Sequence, residues 1–103
     1  MITMYDQNSL PISLEEWAKQ MERHRFLARS KVGHHGVKKI ISTVWCGMKD
    51  GIFETGIFTS QFKFVAIYAR YTTKAEAQAG HSAACRRYRY NRRQRRRHGE
   101  AKN

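Results

Sequence analysis

Eight arginines fall between Arg86 and Arg97, and the run Arg92-Arg93-Gln94-Arg95-Arg96-Arg97 is the densest part of the cluster. The chemistry it offers is recognition of a polyanion. A planar guanidinium makes paired hydrogen bonds to phosphate and stacks on bases, which a lysine point charge does not. From Cys85 to Asn103, eight Arg and one Lys face a single acid, Glu100, so this segment carries +8 of the formal +12. The charge is concentrated at one end of the chain. Arg86, Arg89, Arg93 and Arg96 can align on one helical face, with Arg87, Arg92, Arg95 and Arg97 among them and Tyr88 and Tyr90 as stacking surfaces. These ten residues are the candidate nucleic-acid-binding set. The plainer reading is a solubilising tail, or one that docks on an acidic protein surface, but long like-charge runs are commonly interaction tails.

Other chemistries are thinner. His81 and Cys85 lie one helical turn apart, with Cys46 or the His34-His35 turn as imaginable further ligands. Zinc sites normally show four ligands at recognisable spacings such as paired Cys-x-x-Cys, and none is present, so no metal and no cofactor is expected. Glu54 and His81 are the candidates for an acid–base pair if strand and helix bring them together. A lone Glu on a strand is more often solvated, and there is no phosphate loop, nucleophile motif or carboxylate pair, so the chain does not read as an enzyme. The segment Phe62-Lys63-Phe64-Val65-Ala66-Ile67-Tyr68 is faintly like the stacking strand of RNA-binding sheets. It lacks the Lys-Gly lead and sits in a meander, so core packing is the better account of Phe62, Phe64 and Tyr68.

The elements that must position these residues fit one small domain, residues 1–84, and an arginine-rich extension, 85–103, that is either helical or disordered. An extended piece, Ile2 to Tyr5, leads into the polar turn Asp6-Gln7-Asn8-Ser9. Ser13 and Glu16 form a capping box, Ile12 can staple onto Trp17, and Leu14, Trp17, Ala18 and Met21 mark an apolar stripe on a helix ending near His24. Phe26, Ala28 and Val32 alternate with Arg25, Arg29 and Lys31 as a half-exposed strand. Gly33-His34-His35-Gly36 turns into the long β-rich segment Val37 to Met48, where Cys46 reads as a small core residue. Lys49-Asp50-Gly51 is a hairpin signal, Ile52 to Thr59 returns, and Ser60-Gln61 turns again before Phe62 to Tyr71. Thr73 and Glu76 form a second capping box. Ala77, Gly80, Ala84 and Tyr88 then line one face of the last helix, with Ala75 and Ala79 beside them. The expected fold is α+β: an antiparallel β-meander of three to four strands flanked by an N-terminal and a C-terminal helix.

Four motifs in order resemble a family of small bacteriophage proteins. They are Pro11-Ile12-Ser13-Leu14-Glu15-Glu16-Trp17, Ser42-Thr43-Val44-Trp45, Phe53-Glu54-Thr55, and Arg70-Tyr71-Thr72-Thr73-Lys74-Ala75-Glu76-Ala77 with Gly80-His81 following. The resemblance spans residues 5 to about 84 and implies a phage origin and a shared fold, without a mechanism. After the tryptophan the family continues with a Gly-x-Asp-His sequence and a longer loop. Here Cys46-Gly47-Met48-Lys49-Asp50-Gly51 has no histidine, and the arginine tail lies outside the resemblance.

The reading is a phage accessory (host-takeover) protein acting by stoichiometric binding to nucleic acid, RNA or DNA, or to a host nucleoprotein. The alternative is an inhibitor of a host or anti-phage defence complex that docks by its globular face, with the tail on an acidic host protein surface. No export signal or membrane-spanning run is seen, so the expected location is the host bacterial cytoplasm, with no membrane partner.

Overall fold

The computed structural model describes residues 2–34 and 37–102, with side chains described as far as Arg89 apart from that of His34. Two short strands, β1 (Met4–Tyr5) and β2 (Pro11–Ile12), precede helix α1 (Leu14–His24). Four longer strands follow, β3 (Phe26–His34), β4 (Val37–Met48), β5 (Gly51–Thr59) and β6 (Phe64–Tyr71), then helix α2 (Lys74–Lys102). The main sheet is an antiparallel meander in the order β3-β4-β5-β6, and β1 and β2 form a separate antiparallel pair. The architecture is the α+β arrangement read from the sequence.

Local chemistry explains the boundaries. The Ser13 side chain accepts from the Glu16 amide at the start of α1. At α2 the box is reciprocal: Thr73 Oγ1 accepts from Glu76 N, and Thr73 N donates to Glu76 Oε1. The Asp6 carboxylate accepts from the amides of Asn8 and Leu10, closing the turn that returns the chain into β2, a strand that the sequence analysis passed over. The β5–β6 turn is also longer than Ser60-Gln61. It runs to Lys63, whose carbonyl accepts from Thr59 N, and Phe62 sits in the left-handed region at φ 63°.

The sheet has two unlike faces. One carries Thr43 and Trp45 on β4 opposite Thr55 and Phe53 on β5, and α2 packs over it. Two clusters form there. Trp45, Ile52, Phe53 and Ala77 gather with Tyr5, Ile12, Trp17, Met21, Leu27 and Tyr71, while Val32, Ile41, Ile57, Ala84 and Cys85 gather with Tyr68 and Tyr88. Close approach has a visible cause at Gly80: a Cβ there would fall on the Tyr71 ring. At Gly47, φ is +72° and a Cβ would lie 2.6 Å from the Trp17 ring.

Several expected core positions are corrected. Leu14 is exposed and α1 has no fully buried residue, because the helix covers one end of the sheet instead of lying across it. Ala75 and Ala79 are exposed, while His81 and Cys85 join Ala77 and Ala84 in the buried stripe of α2. Cys46 is only half-buried. Phe26 is not in register with Ala28 and Val32. A bulge between Phe26 and Ala28 turns Leu27 into the core and Phe26 onto the opposite face. Phe62 and Phe64 are exposed and not core, and only Tyr68 of that trio packs on a cluster.

Candidate functional site

Helix α2 begins under the sheet and carries the arginine-rich segment outward. Ala77, His81, Ala84, Cys85 and Tyr88 follow helical spacing on the buried side. Arg86, Arg87 and Arg89 are exposed, and among the described residues no carboxylate pairs with them. Tyr88 is half-buried against the core cluster, so its ring braces the helix on the sheet. The side chains of Tyr90, Arg92, Arg93, Arg95, Arg96 and Arg97 lie outside the described residues. The helix backbone runs through their positions as far as Lys102.

The Glu54–His81 pair is not formed. Neighbouring strand residues point to opposite faces, so Thr55 faces α2 and Glu54 faces away from it. Glu54 Oε2 instead accepts from Arg70 Nε at 3.1 Å on the far side of the sheet. His81 is buried against hydroxyls: Nε2 lies 2.9 Å from Ser30 Oγ, and Nδ1 lies 2.7 Å from Thr43 Oγ1. Thr43 Oγ1 in turn contacts Thr55 Oγ1 at 2.6 Å. Burial holds the His81 imidazole below its ordinary pKa. A neutral ring with both nitrogens bonded to hydroxyls and no carboxylate beside it fixes how α2 sits on the sheet. This four-residue network escaped the sequence reading, although Ser-Thr and Phe-Glu-Thr motifs named two of its members.

The metal candidates are likewise dispersed. Cys85 lies in the core beneath α2, while Cys46 sits at the β4 end, where its carbonyl accepts from Trp17 Nε1 at 2.8 Å. Burial pushes the Cys46 thiol up, the Glu54 carboxylate adds to this, and Arg70 opposes it, so the reactive thiolate is disfavoured. Among the described residues no group of three or more His, Cys, Asp or Glu could hold a metal ion. The His34 side chain and His35 lie outside the described residues.

Neither helix packs on the face of the sheet away from α2, where Ile40 and Ser42 are buried but the aromatics that the sequence analysis assigned to the core are exposed. Phe26, Phe62 and Phe64 are 52%, 57% and 59% exposed. The Arg29 guanidinium lies 4.5 Å from the Phe26 ring centre and 5.2 Å from that of Phe62, and Arg25 lies 4.9 Å from Phe26. Phe58 and Phe64 meet edge to face at 5.8 Å. Phe26, Ala28 and Val32 keep the even spacing of one strand face along the chain, so nothing in their order marks the bulge that puts Phe26 on the other side.

Compared with known proteins, the chain matches no family model, no curated protein and no solved structure. Among the described residues no helix is long and apolar enough to cross a membrane.

Proposed function

We propose that this chain is a small bacteriophage accessory protein that works in the host cytoplasm by stoichiometric binding, gripping nucleic acid or a nucleoprotein through the arginine-rich part of α2. The observation that carries the reading is the course of α2. The helix is anchored on the sheet by Ala77, His81, Ala84 and Cys85, and just beyond them Arg86, Arg87 and Arg89 are exposed with no carboxylate partner among the described residues. The anchored turns give a fixed base from which a strongly cationic segment projects. Arginine, chosen over lysine by eight to one in this segment, favours phosphate forks and base stacking over diffuse charge.

The test is binding of the intact protein to duplex DNA, single strands and structured RNA at several salt concentrations. If about six arginines each neutralise a phosphate, log K falls against log salt with a slope of about −5 on duplex DNA and about −4 on single strands. Replacing the arginines by lysines leaves a purely electrostatic grip almost intact. It weakens a grip that reads folded RNA by fork and stacking much more. Absence of binding to all three at low salt refutes the reading and leaves an acidic protein surface as the tail's partner.

A further inference from the structure

We propose that the open face of the four-stranded sheet is a second nucleic-acid surface, one that takes single-stranded RNA or DNA by stacking bases on Phe26, Phe62 and Phe64 while Arg25, Arg29 and Lys31 meet the backbone. The inference rests on the nucleic-acid reading above but uses the side of the sheet turned away from α2.

Three observations converge on this face. The first is exposure: three phenylalanines stand more than half open on a surface that neither helix covers. Contiguous exposed aromatics of this kind mark interaction sites. The second is placement. Phe62 holds a left-handed backbone, φ 63°, which favours Gly or Asn over a bulky side chain, so a ring is kept at the turn tip against the local preference. The β3 bulge likewise turns Phe26 out of the core stripe onto this face.

The third observation is charge, and it selects the occupant. Glu54 is the only acid in the four strands, which also carry Arg29, Lys31, Lys38, Lys39 and Arg70. Arg70 takes that acid at 3.1 Å. By strand alternation Lys39 points to the α2 side, but Arg29, Lys31 and Lys38 share the open face with no acid beyond the Arg70-paired Glu54. That face is cationic as well as aromatic, which repels a second copy of itself and attracts a polyanion. Alternating rings and guanidiniums suit unpaired bases, whose faces a duplex hides.

The full-length protein is titrated against labelled oligo-uridylate, oligo-thymidylate and a duplex of mixed sequence. The variants are Phe26→Ala/Phe62→Ala/Phe64→Ala, Arg29→Lys and the conservative Phe64→Tyr, with circular dichroism reporting the fold. Single-strand affinity is expected to fall by about 5- to 150-fold for each ring removed. Duplex affinity changes less than about twofold, and Phe64→Tyr binds like the parent. A triple variant that binds single strands as the parent does overturns the proposal and leaves the tail reading standing. A parent that binds neither single strand nor duplex at low salt overturns both. Should the triple variant misfold, photo-crosslinking of the parent to a 4-thiouridine oligonucleotide decides: adducts on Phe26, Phe62 or Phe64 support the proposal, and adducts confined to α2 overturn it. A parent that sediments as a dimer while the triple variant is monomeric assigns the face to a second copy and likewise overturns it.

Discussion

Thr43→Val is the most informative single change in the core. The substitution keeps the shape of the side chain and removes one hydroxyl, the one that touches Thr55 Oγ1 at 2.6 Å and His81 Nδ1 at 2.7 Å. Thr43 and Thr55 are both fully buried and His81 is 7% exposed, so water cannot reach the abandoned groups without opening the helix–sheet contact. A buried polar group left without a partner costs about 1–3 kcal/mol, and two are left here. A loss of about 2–4 kcal/mol is expected, a large part of a total on the order of 5–15 kcal/mol. Urea unfolding measures it directly. In a thermal scan it corresponds to a fall of at least about 8 °C. Thr43→Val/Thr55→Val removes two members together, orphans only the imidazole, and should cost less than the sum of the single changes. The same network sets a pH dependence. Burial places the folded-state pKa of His81 below its ordinary value of 6.5, so as pH falls the unfolded chain takes the proton first. The contribution of His81 is therefore complete above about pH 6.5 and is lost as pH drops towards the folded-state pKa, at no more than about 1.4 kcal/mol per pH unit. His81→Asn should show a shallower decline between neutral and mildly acidic pH than the parent. If Thr43→Val unfolds within about 0.5 kcal/mol of the parent, or if the two pH slopes coincide, the network is not holding the helix on the sheet.

Trp45→Ala, at a position with no exposure, should cost about 3–5 kcal/mol in chemical denaturation. Trp17→Ala, half-buried and bonded to the Cys46 carbonyl, should cost about 1–3 kcal/mol, and equal losses would contradict the burial difference. Gly80→Ala has a diagnostic sign: helix propensity favours alanine by up to about 1 kcal/mol, but its Cβ would meet the Tyr71 ring, so a net loss of about 1–3 kcal/mol is expected by thermal melting. Gly47→Ala meets both a left-handed backbone and the Trp17 indole, and its Tm should fall further than that of an exposed glycine variant. Glu54→Gln breaks an ion pair whose Arg70 side chain is 56% exposed, and its unfolding free energy should move by less than about 1 kcal/mol.

Much of the fold was legible along the chain because its causes are local. Ser13 and Thr73 cap the helices at the places their side chains can reach, and Lys49-Asp50 closes the hairpin between two β-rich segments. Apolar spacing on α2 found Ala77 and Ala84 for the same reason: helical period is a property of neighbouring residues. The extreme charge of the C-terminal segment is likewise fixed by composition.

Faces and pairings were decided only by the tertiary structure. A one-residue bulge reverses every side chain before it, and nothing in Arg25-Phe26-Leu27-Ala28 states that the extra residue is Leu27. The inward set was therefore misread and Phe26 was placed inside. The same holds for Phe62 and Phe64, which are apolar by type yet exposed, because both helices fell on the other face of the sheet. Glu54 and His81 were near enough in motif to suggest a pair, but strand alternation sends Glu54 outward while α2 lowers His81 onto Thr43 and Ser30. Residue types and local spacing determine which elements form; which side of the sheet each residue serves depends on register and on where the helices dock, and both are set by contacts between residues far apart in the chain.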